Sequence, residues 1–334
     1  MDGTIFAMTG VWMYIWLVVG FVLLIKGADL FVEGSSSVAK IFKVPTVIIG
    51  LTIVAMGTSA PETSVSISAA LQGANEIAVS NVVGSNFFNL LVVVGVCALL
   101  QPINITKSLI KRDYPYSIFA TVLILAFLVI GLFVSGQPQL TRIDGIILLA
   151  AFVFYLVILI RFTLISIATG HKVDVEEVKT RSLPVSIIFI VIGLAGVIYG
   201  GDFVVNSATA IAKTFGMSNT LIGLTIVAIG TSLPELVTSI VAAKKGEADL
   251  ALGNVIGSNI FNLLLVLGIS STVHTIEVKF DSIIDTSLLL IVNVVVLAIV
   301  LKKKSSIGKG VGVFMILMYV VYTGYIIGRN YGVF

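Results

Sequence analysis

One phrase is written twice in this chain. LTIVAMGTSAPE runs from Leu51 to Glu62, and LTIVAIGTSLPE runs from Leu224 to Glu235. The two copies are 173 residues apart, and the same offset relates Asp29 to Asp202 and Asn89 to Asn262. From Gly27 to Gly95 the chain aligns without a gap on Gly200 to Gly268, with about half of the positions identical. A duplication of this kind restricts the fold to two copies of one unit. The number of crossings in each copy then decides how the copies face one another.

Composition says what is crossed. Of 334 residues, 58% are hydrophobic and only 11% charged, with a mean hydropathy of +1.14. A soluble domain carries roughly a quarter charged residues, so this chain belongs in a bilayer. The net charge of +3 is too small and too scattered to suggest nucleic acid. A single cysteine, Cys97, excludes a disulfide framework and a thiolate cluster and reads as an apolar filler. The opening MDGTIFAMTG lacks a basic stretch, so the first apolar run reads as an uncleaved span.

Apolar runs of about 20 residues can cross the hydrocarbon core. They fall near 11–33, 45–72, 76–100, 115–135, 143–164, 184–208, 219–243, 248–273, 282–301 and 307–328. The loops after spans 1, 3, 5, 7 and 9 hold fifteen Lys and Arg, among them Lys40, Arg112, Lys172, Lys179, Lys245 and Lys302–Lys304. The opposite loops hold four: Arg142, Lys213, Lys279 and Arg329. The positive-inside rule makes the rich side cytoplasmic and puts both termini outside, in the cell membrane. Five spans per copy is an odd number, so the second copy is inverted. The expectation is an all-α polytopic membrane protein of ten transmembrane helices in two inverted-topology five-helix repeats. The first repeat covers 1–170, a short cytoplasmic linker 171–183, and the second repeat 184–334.

The duplicated phrase carries the chemistry. Pro61 and Pro234 each follow Gly-Thr-Ser, so spans 2 and 7 should break in mid-membrane. The break is expected to free the carbonyls of Ala55 and Ala228, which lipid tolerates only where the backbone lines a cavity or meets an ion. Thr58, Ser59, Thr231 and Ser232 add hydroxyls, and Glu62 and Glu235 add carboxylates. Each following span brings a second phrase, NVVGSNFFN at Asn81–Asn89 and NVIGSNIFN at Asn254–Asn262. There Ser85 shares a helical face with Asn89, and Ser258 with Asn262. All of these donors are hard oxygens, which suit calcium or sodium and not zinc or copper. A carboxylate at mid-bilayer is a functional-site hypothesis by default. Two facing glutamates repel until cations compensate them, and antiport follows if only compensated states reorient.

At these residues the sequence resembles the sodium/calcium exchangers of the calcium/cation antiporter superfamily, of the prokaryotic type without a regulatory loop. The two phrases GTS-x-PE and GSN-x-F-N are similar to that family's α-repeats, and the resemblance covers the whole chain. It implies that Glu62 and Glu235 are central calcium ligands, with Asn89 and Asn262 in the remaining central positions. It further implies flanking sodium sites at Thr58, Ser59, Thr231, Ser232, Ser85 and Ser258, helped by the carbonyls of Ala55 and Ala228. Spans 1 and 6 would slide across the rest. Potassium-dependent relatives carry Asp where this chain has Asn262, which argues against potassium co-transport. The loop from Phe162 to Leu183 leaves no room for the large calcium-sensing region that animal relatives insert.

Other readings compete. Proton-coupled calcium exchange is the alternative within transport, but relatives of that kind resemble a G-N-x-x-E phrase instead. An intramembrane metalloprotease needs H-E-x-x-H, which is absent. Asp29 and Asp202 lack the motifs of aspartyl types and read as interfacial or helix-pairing residues. A channel commonly builds its filter from symmetric subunits, whereas a duplicated mid-membrane site favours alternating access. Asn81, Asn86, Asn254 and Asn259 read as positioning backbone, and His171 and His274 as solvated loop residues. The expectation is a secondary transporter and not an enzyme, with no cofactor, no nucleic acid and no obligatory protein partner. Its partners are calcium, sodium and lipid.

Overall fold

A computed structural model of the chain describes residues 10–168, 181–216, 228–303 and 306–331. His171, Lys172, Lys179, Lys304, most of the 171–183 linker and the start of the second phrase lie outside the described residues. Within them the chain is helical apart from turns and four two-residue strands.

The first long helix, α1 (Trp12–Ile41), is followed by a bent pair, α2 (Thr46–Thr58) and α3 (Ala60–Leu71). Next come α4 (Asn75–Leu100), α5 (Leu109–Ser135) and α6 (Arg142–Ala168). The second half has α7 (Leu183–Thr214), a short α8 (Ala228–Thr231), α9 (Leu233–Lys244), α10 (Ala248–Val273), α11 (Asp281–Lys302) and α12 (Lys309–Asn330). Among the described residues, eight of these helices are long and apolar enough to span a bilayer, and the bent pair α2–α3 makes a ninth. The span expected at 219–243 is described only from Ala228 onward.

The first and sixth spans run on past their expected ends at 33 and 208. Hydropathy falls at Ser35–Ser37, yet the backbone stays helical because those serines are buried against protein and not presented to lipid. α1 and α7 lie antiparallel, with Gly20, Gly27 and Gly34 set against Gly200, Gly193 and Ser186. Small residues at these positions let the two backbones touch. This pair meets α9 through a small separate cluster, in which Leu24, Ala28 and Val197 pack under Leu233, Val237 and Val241, while Phe31, Val32, Val38 and Ala39 of α1 join the main core.

The main core is centred on α4 and α10. In α10, 94% of the most apolar window is buried, against 11% in α12, so α10 is wrapped by protein while α12 faces outward. Four short strands tie the loops: Ile103–Asn104 pairs with Ser306–Ile307, and Gln139–Leu140 with Ile276–Glu277.

Two ion pairs, one buried and one half-buried, clip the outer helices. Arg112 donates from Nε and Nη2 to Asp113 at 2.7 and 2.8 Å, and Tyr155 of α6 donates its hydroxyl to Asp113 at 3.1 Å. In the second half Arg329 of α12 holds Asp285 of α11 through two bonds of 3.0 and 2.9 Å. Asp113 is fully buried, so removing its charge strands the Arg112 guanidinium. Asp113→Ala is expected to destabilise the protein by about 3 kcal/mol. Thermal unfolding in detergent measures it; an unchanged midpoint contradicts this role.

Candidate functional site

The proline breaks come first. α2 ends at Thr58, α3 starts at Ala60, and the axes differ by 49°. The hinge residue Ser59 has φ −81° and ψ 9°; Ser232, its counterpart between α8 and α9, has φ −94° and ψ 8°. The hinge dihedrals nearly match in the two copies, and the same proline stands two residues beyond each hinge. Pro61 stands where its missing N–H would have reached Gly57, and Pro234 likewise Gly230. The expectation that the break strips the Ala55 carbonyl of its helical partner is corrected here. That oxygen accepts the Ser59 N–H at 3.0 Å, because the helix persists one turn beyond it. Ala228 opens α8.

Each bend points the first turn of the next helix at the opposite half. Ser59 donates to Glu235 Oε1 at 3.0 Å, and Ser232 donates to Glu62 Oε1 at 3.0 Å. Ser85 donates to Glu62 at 3.4 Å, and Ser258 donates to Glu235 at 3.3 Å. Ser232 also donates to Ser85 at 3.0 Å. Thr58 donates to Asn254 Oδ1 at 3.0 Å and lies 3.4 Å from the Ser258 hydroxyl. Thr231 donates to Asn81 Oδ1 at 3.5 Å. The two asparagines are held in turn, Asn81 donating to Ser66 and Asn254 to Ser239, both at 3.0 Å. Almost every bond thus has a counterpart 173 residues away.

The second phrase sits on a different device. α4 and α10 each contain a π-helical turn, Phe88–Val93 and Phe261–Val266, which begins one residue before Asn89 and Asn262. Such turns insert an extra residue and are frequent at functional sites. Aromatic contacts brace both: Phe88 meets Tyr319 edge-on at 5.5 Å, and Phe261 meets Phe152 at 4.9 Å.

Four oxygens in this network have no hydrogen-bond partner: Oε2 of Glu62, Oε2 of Glu235, Oδ1 of Asn89 and Oδ1 of Asn262. All four residues are fully buried. An unsatisfied buried polar group costs about 1–3 kcal/mol, and more when charged. Four such acceptors, related in pairs by the repeat, suit a hard cation and nothing apolar. The hydroxyls of Ser35, Ser36, Thr238 and Ser270 are also unpartnered, but they do not recur at the 173-residue offset. Among the described residues, no three His, Cys, Asp or Glu side chains converge, so the donor set is mixed oxygen and not a thiolate or imidazole centre. Asp29 lies outside the network and pairs with Lys245 at 2.7 Å, while Asp202 is exposed. Three of the four motif asparagines bond backbone, as their sequence reading expected: Asn81 donates to the Glu62 carbonyl, and Asn86 and Asn259 to each other's. Their only signal was that the repeat preserves them.

A bundle of membrane-crossing helices closed around buried, charged, cation-directed oxygens defines an ion-transporting membrane protein. The family model described as sodium/calcium exchanger protein matches residues 12–161 and 185–328, and the chain belongs to that family. It is 33% identical over 338 residues to the sodium/calcium exchanger MaX1 of Methanosarcina acetivorans, covering 92% of this chain and 96% of that one. It is 45% identical over 264 residues to a protein of Alkalimonas amylolytica designated CaxA, covering 78% and 80%. Its fold matches the solved structure of the sodium-calcium exchanger NCX_Mj at a TM-score of 0.78 and 30% identity, over 94% of this chain and 98% of that chain. It is an exchanger and not an enzyme.

Proposed function

We propose that the protein is a secondary antiporter that exchanges sodium for calcium across the cell membrane by alternating access. The observation that carries this reading is the set of four unpartnered oxygens on Glu62, Glu235, Asn89 and Asn262. A calcium ion among them cancels both carboxylate charges and supplies the partner that each oxygen lacks. Thr58, Ser59, Ser85, Thr231, Ser232 and Ser258, with the carbonyls of Ala55 and Ala228, provide neutral oxygens around the carboxylates. Calcium needs six to eight oxygens and sodium shares the preference, so these flanking groups suit sodium ions taking calcium's place. A proton carrier would need only the carboxylates. Empty and doubly charged, the site resists reorientation in the low-dielectric core; loaded, it is compensated.

The strand pairs support ten spans in two inverted halves. Paired strands lie on one face of the bilayer, so an even number of crossings separates them. Between Gln139–Leu140 and Ile276–Glu277 lie α6, α7 and α10, which make three crossings. The segment that ends in α8 and α9 supplies the fourth. Between Ile103–Asn104 and Ser306–Ile307 lie α5, α6, α7, α10 and α11, which with the same segment make six crossings, again an even number. The halves are then 1–170 and 184–334, joined by a cytoplasmic linker, with both termini outside.

The test is calcium-45 uptake into proteoliposomes, with sodium, potassium and pH gradients varied separately. Uptake is expected to follow an outward sodium gradient and to ignore the other two. Uptake driven by a pH gradient alone overturns sodium coupling and moves the reading to proton/calcium exchange.

A further inference from the structure

Asn86 and Asn259 bond neither glutamate side chain, yet their amides are locked in a reciprocal pair across the two halves. Asn86 donates from Nδ2 to the backbone carbonyl of Asn259 at 3.2 Å, and Asn259 donates from Nδ2 to the carbonyl of Asn86 at 3.5 Å. A carbonyl can only accept, so the amide group facing it must be the NH2 end. The other end of Asn86 is therefore Oδ1, and it accepts from Asn262 Nδ2 at 3.2 Å. In the mirrored contact Asn259 Oδ1 accepts from Asn89 Nδ2 at 3.2 Å. Turning the NH2 groups of Asn89 and Asn262 toward these acceptors leaves their own Oδ1 atoms as the free ends. Those are the two amide oxygens that stand buried and unpartnered, as one carboxylate oxygen of each glutamate does.

We propose that Asn86 and Asn259 are positioning residues that set the polarity of the ion site, keeping the oxygen ends of Asn262 and Asn89 toward the cation. An asparagine is nearly symmetric in shape, so packing alone distinguishes its two ends poorly. A flipped amide would place an NH2 dipole, positive end first, against a divalent ion. The orientation instead passes along a fixed chain: backbone carbonyl, then the clasp amide, then the ligand amide. The clasp lies on the crossing of α4 and α10, so each half orients the ligand of the other. This inference rests on the ion-site reading and deepens it.

A carboxylate provides the test, because both of its ends are oxygen and it needs no orienting. Calcium binding to the purified protein in detergent, followed by isothermal titration, is the readout. Asn86→Leu is expected to weaken calcium binding at least about tenfold. The same change in an Asn262→Asp background is expected to cost nothing, or to tighten binding, since Asn86 Oδ1, an acceptor, then faces a carboxylate oxygen that is also only an acceptor. Equal losses in both backgrounds would mean a merely structural role and overturn the proposal, as would no loss in the parent protein. Should Asn86→Leu fail to fold, Asn259→Leu with and without Asn89→Asp puts the same question to the other half. Glu62→Gln is the separating control. If it binds calcium normally, the ion-site reading itself fails; if it loses binding while Asn86→Leu does not, only the clasp falls.

Discussion

Replacing Glu62 and Glu235 together by glutamine is expected to abolish calcium uptake, and either change alone to reduce it at least ~100-fold. The estimate follows from the cost of removing one member of a buried charge set, about 3–5 kcal/mol, at 1.4 kcal/mol per decade. Glutamine preserves shape and can still accept from Ser232 or Ser59, so the bundle is expected to fold. What changes is charge: one carboxylate cannot neutralise a divalent ion, and the amide nitrogen adds a donor where only acceptors are useful. The measurement is calcium-45 uptake beside a thermal unfolding curve of the same preparation. Uptake at parental rate by the double variant would falsify the transport site. Loss of uptake with an unchanged unfolding midpoint separates ion binding from structure.

The cross-half bonding makes the two single changes equivalent in kind. Ser59 belongs to the first copy and serves Glu235; Ser232 belongs to the second and serves Glu62. Each glutamate therefore takes its shortest side-chain bond from the opposite half and a longer one from its own, Ser85 to Glu62 and Ser258 to Glu235, so damage to one hinge is felt at the other carboxylate. This pairing was not legible in the sequence. The repeat identified which residues matter, because a duplicated carboxylate, proline and hydroxyl set has few uses inside a bilayer. It could not say that the copies interlock, since that depends on how α3 and α9 approach each other in space. The π-helical turns at Asn89 and Asn262 were equally hidden. They carry no composition signal, and the aromatic rings packed against them, Tyr319 and Phe152, come from helices distant in the chain. The lengths of α1 and α7 were misread for a related reason. A hydropathy scan ends a span where serines begin, whereas Ser35–Ser37 are buried against neighbouring helices that no scan sees.

Gly27→Leu is expected to be the most damaging change outside the ion site. A Cβ at Gly27 would lie 2.6 Å from the backbone nitrogen of Val197 and 2.8 Å from the carbonyl oxygen of Gly193. The obstacle is backbone, which cannot swing aside as a side-chain tip can. From the other side, a Cβ at Gly193 would meet Phe31 N at 2.5 Å. α1 and α7 touch along this seam, and beside it Leu24 and Ala28 of α1 pack against α9. Forcing the seam apart lifts α1 from that contact. Overpacking of this kind costs about 1–3 kcal/mol, and a leucine between two backbones lies at the upper end. The unfolding midpoint is expected to fall, with uptake reduced at least ~10-fold. Gly324 supplies the opposite sign: nothing lies within 4 Å of a Cβ there, so Gly324→Ala is expected to gain the usual helix preference, about 0.5–1 kcal/mol. If Gly27→Leu and Gly324→Ala shift the midpoint in the same direction, helix propensity and not backbone contact governs this seam.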